Sequence, residues 1–266
     1  MNLVQIELLL FSFATGLYAI AWLVHLSGWR RNSLPLNSRA IGIAWVGLAA
    51  HAGLLGLRWH LAGHIPLITA FEFVNTFAFL VIGMFLLFAR REHNRTLGVF
   101  LLPIGFLLMG YAAFMPKAIQ PELIIFDSLL LKFHVLTTII GYGAWAITFA
   151  ASVSYLYLEQ KGKEKPGLFD QLAYKAAFIA FCFHTLGIAS GALWGDRVFG
   201  QLWFWDPKET WSFITWLIFL AYLHARYTLD WKGRRAAILA IIGFLAVLFT
   251  YVGVDFLLPQ IHGTQS

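Results

Sequence analysis

The sequence predicts an all-α, polytopic membrane helix bundle of about eight transmembrane helices with both termini outside. Three observations carry that expectation. Of the 266 residues, 60% are hydrophobic and only 12% charged, against roughly 45–50% and about 25% in soluble domains. The apolar residues fall in separate blocks of about 20, the length a helix needs to cross a ~30 Å hydrocarbon layer. The basic residues, finally, concentrate in alternate connections between those blocks. This composition excludes an ordinary cytosolic enzyme.

The first block, 4–27, has no basic start and runs too long for a cleaved signal peptide, so it is read as a span. Blocks 40–58, 71–89, 97–115 and 129–157 follow. Thr69 and Glu72 form a capping box that opens the third. A tract rich in Lys, Gly and Glu, 159–173, is the one linker-like segment, and spans at 174–193, 211–227 and 236–258 complete the set. Each is nearly free of interior charge, as it must be when one Lys, Arg or Asp at a helix centre costs about 2.5–3.5 kcal/mol. No internal repeat is visible, so residues 1–266 are read as a single integral membrane domain.

Fourteen of the 19 basic residues lie after spans one, three, five and seven: Arg30, Arg31 and Arg39; Arg90, Arg91 and Arg95; Lys161, Lys163, Lys165 and Lys175; Arg226, Lys232, Arg234 and Arg235. Arg58, Lys117, Lys132, Arg197 and Lys208 lie on the other side. The positive-inside rule then sets the orientation and accounts for the net charge of +6. No basic stripe with stacking aromatics remains to argue for nucleic acid. The lone Cys182, expected to be buried in span six, excludes an internal disulfide or a thiolate metal cluster.

Chemistry concentrates in the outer connection 194–211. Five of the 11 tryptophans fall between 194 and 216. A single indole at a membrane interface is an ordinary anchor. Here Trp203 and Trp205 alternate with Phe204 just before a helix, between Trp194 and Trp211, and Gly195 and Gly200 permit close backbone approach; together they suit an aromatic shelf for a flat apolar ligand. Asp206, Pro207 and Glu209 also read as a plain helix start, with aspartate at the cap, proline first and glutamate third.

Among nine histidines, His25, His60, His64 and His93 lie near span ends or in loops, where solvated or interfacial roles are the default. His51 and His184 are intramembrane without a companion motif and are read as packing or hydrogen-bonding residues. His134 sits about five residues, roughly 8 Å, inside the outer end of span five. His262 follows the outer end of span eight. Each alone could be a satisfied hydrogen-bonding histidine; flanking an aromatic platform, they become a candidate axial pair for haem iron. His224 lies 13 residues beyond Trp211, hence about 20 Å deeper, and an ionisable group there is a functional candidate, with a histidine bonded to a neighbouring carbonyl as the plainer alternative.

The segment Trp203-Phe204-Trp205-Asp206-Pro207-Lys208-Glu209-Thr210-Trp211 resembles the tryptophan-rich WWD signature of haem-handling membrane proteins. The chain resembles, more closely, the ResC/CcsA family of cytochrome c biogenesis proteins. The likeness includes Gly63-His64-Ile65-Pro66-Leu67 before Glu72, His134-Val135, Tyr222-Leu223-His224 with Arg226, Gly233-Arg234-Arg235-Ala236-Ala237, and Leu257-Leu258-Pro259 with His262. It spans about residues 60 to 262. It implies an eight-span protein that works with a ResB/CcsB partner in a bacterial inner (plasma) membrane, moving haem across and presenting it on the periplasmic side to apocytochrome c. By position, His134 and His262 match the external ligands of non-covalently held haem b. His224 matches the histidine that holds haem in transit with one from the partner. Trp203, Trp205 and Asp206 fall in the haem-contacting signature. Where the family usually has Trp-Gly, this chain has Phe199-Gly200, which keeps the apolar face without the indole N–H.

On this reading the chain is the haem-handling component of a cytochrome c haem lyase. It supplies ligands and orientation, while a CxxCH segment of the substrate brings both thiols. No side chain stands out as an acid or base. A haem-binding regulator of haem synthesis without attachment activity is the alternative, disfavoured by the intact signature and His134, His224 and His262. A dihaem cytochrome b would need histidine pairs 13–14 residues apart along single spans; His51 and His64 have that spacing, but Gly63 and Pro66 put His64 in a loop. No pair of broken spans marks a transporter midplane site.

Overall fold

The computed structural model describes residues 2–89, 96–120, 127–162 and 166–257. Its elements are α1 (Leu3–Arg30), α2 (Leu34–Ala62), α3 (Ala70–Phe88), α4 (Gly98–Ala113), α5 (Leu129–Gln160), α6 (Pro166–Phe199), α7 (Pro207–Thr228) and α8 (Arg234–Leu248). A π-helical turn, Phe249–Gly253, and a short α9 (Val254–Leu257) continue α8. Among the described residues there is no strand, and the fold is the all-α bundle of a polytopic membrane protein.

Among the described residues six helices are long and apolar enough to cross a membrane: α1, α2, α3, α5, α6 and α8 with its π turn. α4 is apolar but has only 16 residues, about 24 Å at 1.5 Å per residue. α7 has the length but carries Lys208 and Glu209 in its first turn and His224 and Arg226 near its end. The surface is that of a molecule solvated by lipid. Phe13, Ile20 and Leu23 on α1 and Ile238, Ile242 and Leu245 on α8 turn about half of their area outward, at i, i+7, i+10 and i, i+4, i+7 spacings that each keep to one helix face.

Local chemistry explains most boundaries. Asn2 and Gln5 close a capping box on α1. Thr69 and Glu72 do the same on α3, where the Thr69 hydroxyl accepts from the Glu72 N–H at 3.2 Å and Glu72 Oε2 accepts from the Thr69 N–H at 3.2 Å. Gly63 ends α2 in the left-handed region at φ 75°, a conformation glycine adopts without steric cost. The expected linker 159–173 is largely helix, because α6 begins at Pro166 and not near 174. That first stretch is amphipathic rather than wholly apolar: Phe169, Ala173, Ala176 and Ala177 are buried while Gly167 and Leu168 face out. α6 reaches 34 residues, about 50 Å.

The chain divides into two compact units, residues 1–123 and 124–266; nothing in the sequence marked that boundary. In the first, α1 to α4 enclose buried polar groups. Arg58, expected among the outward charges, is 1% exposed. Its Nε donates to Glu72 Oε1 at 2.9 Å and its Nη1 to Glu7 Oε1 at 3.1 Å, and the carbonyls of Lys117 and Ala118 take further bonds. Two histidines expected at span ends or in solvated loops are buried instead. His25 is enclosed on α1 against Phe85. His64 lies between the carbonyls of Ile65 and Gln120 at 3.0 and 3.1 Å. His51 faces the Tyr18 hydroxyl at 3.2 Å.

In the second unit α5 is the most enclosed helix. Small side chains, among them Gly141, Gly143, Ala146, Ala150 and Ala151, line its buried positions and let α6 and α8 come close. Between α5, α7 and α8 the interior is filled by Trp145 stacked on Phe219, ring centres 3.3 Å apart. Phe149 stacks on Phe244 at 4.7 Å beside it, and the Thr215 and Thr250 hydroxyls bond at 3.1 Å.

Candidate functional site

The connection 194–211 resolves into three parts. Trp194 lies in the last turns of α6, residues 200–206 form the loop proper, and Pro207 to Trp211 are the first turn of α7. Two carboxylates fasten this corner. Asp206 is 2% exposed, and its Oδ1 accepts from the Glu209 N–H at 2.8 Å, the N-cap bond. Glu209 Oε2 reaches back to accept from the Phe204 N–H, also at 2.8 Å. Asp206 thus caps α7 and holds the loop to it.

The loop presents two aromatic rows. Trp194 meets Phe199 edge to face, and Phe199 meets Phe204 likewise, each with ring centres 5.7 Å apart. In the other row Trp205 packs on Trp203 at 6.0 Å and Trp203 on Phe213 at 6.2 Å. Trp205 is 70% exposed at φ 55°, a left-handed conformation that costs a bulky residue on the order of 1–3 kcal/mol. The chain is bent there to hold an indole outward. The Trp203 ring is half-buried, and its Nε1 is buried without a hydrogen-bond partner among the described residues. A buried N–H left without an acceptor costs free energy. Trp211 lies elsewhere, against Phe249 of the π turn at 4.3 Å, so it packs α7 on α8 and does not join either row.

His134 stands one turn into α5. Its Nδ1 lies 2.7 Å from the Gly187 carbonyl oxygen on α6. A carbonyl only accepts, so Nδ1 carries the proton and Nε2 keeps its lone pair. A bond of this kind fixes the tautomer and the ring orientation of an imidazole. Gly191 makes the fit possible, since a Cβ there would lie 2.7 Å from the imidazole. Trp194 is one turn further along the same helix. Sequence reading missed Gly187 and Gly191; their spacing, a G-x-x-x-G in an apolar helix, signals close helix approach.

His224 is exposed on α7, with the Thr228 hydroxyl 3.4 Å from Nδ1, so it is available to a group beyond the chain. His262 lies outside the described residues. His184 is buried between α5 and α7, with Nε2 3.0 Å from Ser212 Oγ and its ring edge-on to Tyr142 and Trp145. Cys182, expected to be buried, is on an exposed face of α6, because that position falls on the side of the helix turned away from α5. No group of three or more His, Cys, Asp or Glu residues converges among the described residues.

Comparison with known proteins gives a consistent result. Residues 65–262 match the family model described as cytochrome C assembly protein. The cytochrome c biogenesis protein CcsA of Chlamydomonas reinhardtii is 34% identical over 87% of this chain and 70% of its own length. Those of Gloeobacter violaceus and Synechococcus elongatus are 30% and 31% identical, over 94% and 84% of this chain and 91% and 86% of theirs. Among solved structures, the cytochrome c heme lyase CcmF superposes with a TM-score of 0.75 at 17% identity, over 95% of this chain. This chain spans about half of that lyase, 47% of its length.

Proposed function

Because this chain belongs to the cytochrome c assembly protein family, we propose that it is the haem-handling component of a cytochrome c synthase. In this reading it takes haem across the bacterial plasma membrane with a ResB/CcsB-like partner and presents it to apocytochrome c. The broader role, in cytochrome c maturation, follows from the family. The finer one rests on a single observation: His134 has its Nδ1–H committed to the Gly187 carbonyl at 2.7 Å, leaving Nε2 its lone pair, with the ring set against Gly191 of α6, one turn before Trp194.

Haem is cargo and substrate here, and the residues fit it. His134, with His262 as the expected second ligand, would hold the iron. Trp203 and Trp205 would lie along the macrocycle. His224 would take haem in transit, against a histidine from the partner. By the positive-inside argument this loop faces the periplasm. The chemistry is addition of a CxxCH thiol across a vinyl group: an S–C bond forms, the thiol hydrogen goes to the other vinyl carbon, and nothing is oxidised. Cys182, in the middle of α6, is remote from this loop, so the substrate supplies both sulfurs. The chain contributes orientation, which in well-aligned reactions is worth roughly 7–11 kcal/mol.

The test is purification of the chain with its partner and measurement of the reduced absorbance spectrum and pyridine haemochrome. His134→Ala is expected to remove the haem signal that can be passed to an added CxxCH peptide. An unchanged spectrum and unchanged transfer in His134→Ala would refute the assignment. Since ligation needs a neutral imidazole, retention should also fall as the pH is lowered.

A further inference from the structure

Between the loop and His224 the two sides of α7 differ sharply. The inward side is closed: Thr215, Phe219 and Tyr222 are at most 1% exposed, and the Trp145–Phe219 stack occupies the space behind them. The outward side runs Phe213, Leu217, Leu220 and His224, all exposed, at spacings that keep them on one face. Beside them α6 contributes Thr185, Ile188 and Ala189, and with Phe213 and Trp216 these line an open cleft of about 190 Å³.

The cleft continues the aromatic row of the loop. Trp203 packs on Phe213 at 6.2 Å; Phe213 lies parallel to Trp216 within 10° at 5.9 Å; Trp216 stacks on Phe181 at 5.1 Å. The one polar atom of Trp216 is taken up, because its Nε1 donates to Thr185 Oγ1 at 2.8 Å and that hydroxyl donates to the Phe181 carbonyl at 2.7 Å. The indole is therefore locked with only its apolar face on offer. Trp216 lies about 12 Å along the helix from His224.

We propose that this α6–α7 cleft is a way station for the edge of a porphyrin, so that haem travels along the outward face of α7 between His224 and the Trp203–Trp205 loop and not through the bundle. The inference rests on the haem-handling reading above and adds the route. The polar groups of the cleft support it. In the cleft every donor is satisfied internally, which suits a surface that is occupied and left without breaking directional bonds. The volume accommodates one side of the macrocycle, and the open mouth leaves the remainder on the lipid side.

The test uses the chain purified with its partner and loaded with haem in cells. Ala189→Phe fills the cleft from an exposed position without disturbing the interior; Trp216→Leu removes the stacking face and keeps an apolar side chain. Total haem per complex is read as pyridine haemochrome. Haem at the loop is read as the fraction passed to an added CxxCH peptide in one turnover. Both variants should keep total haem within about twofold while the transferable fraction falls about tenfold, haem being stalled at His224. An unchanged fraction, or equal loss of total and transferable haem, overturns the route and leaves the cleft to a lipid chain or a partner helix. If the parent complex carries no haem, or if His134→Ala and His224→Ala both leave content and transfer untouched, the underlying reading fails and the route with it. If those two histidine variants do respond and the cleft variants do not, only the route is lost.

Discussion

The imidazole of His134 depends on an absence of side chain at position 191. With a Cβ at Gly191 only 2.7 Å from the ring, Gly191→Ala must tilt the imidazole away from the Gly187 carbonyl. Disturbing a bond that orients a metal-binding imidazole typically costs 10- to 100-fold in metal affinity, so haem content should fall by about tenfold while yield and helical circular dichroism stay at parent values. Gly56→Ala, at a glycine with open space around it, is the matched control and should leave haem content unchanged. At this scale the sequence was partly legible. His134 stood out because it was paired with an aromatic loop, and Asp206 as a cap because its neighbours Pro207 and Glu209 completed the pattern. The separation of Trp211 from Trp203 and Trp205 was not, since adjacency in sequence conceals which side of a helix a ring will take.

Helix by helix, the ends with side-chain signals were readable and those with none were not. The box at Thr69 and Glu72 and the cap at Asp206 are as expected, whereas the start of α6 was placed eight residues late because amphipathic character dilutes an apolar block. The π turn in α8 leaves no composition signal at all. Nor did hydropathy foretell that Arg58 would be interior, since its partners Glu7 and Glu72 are contributed by two other helices. Removing one member of such a cluster strands the rest. Arg58→Ala leaves two desolvated carboxylates and should destabilise the first unit by about 3–5 kcal/mol, seen as loss of accumulation in membranes and a lowered midpoint in a detergent melting curve. Arg58→Ala combined with Glu7→Gln and Glu72→Gln should recover part of that loss. If the single variant accumulates and melts like the parent, the cluster carries no structural weight.

For the whole molecule, the alternation of basic residues predicts that the 200–206 loop faces outward. With Cys182 replaced by serine, Gln201→Cys places one thiol in the exposed loop. A charged, membrane-impermeant maleimide added to intact cells should label it; labelling only after the membrane is opened would reverse the orientation. The bundle class was legible because solvation by lipid is written into gross composition. The division into two units was not, because it reflects which helices pack together rather than how apolar each one is. The length of α6 has a further bearing. At about 50 Å it exceeds the ~30 Å hydrocarbon slab by several turns, so tilt and bilayer thickness jointly set how far its Trp194 end rises among the phospholipid headgroups. The acyl composition of the host membrane thereby becomes a determinant of how far this corner stands clear of the headgroups, with no change in any residue of the chain.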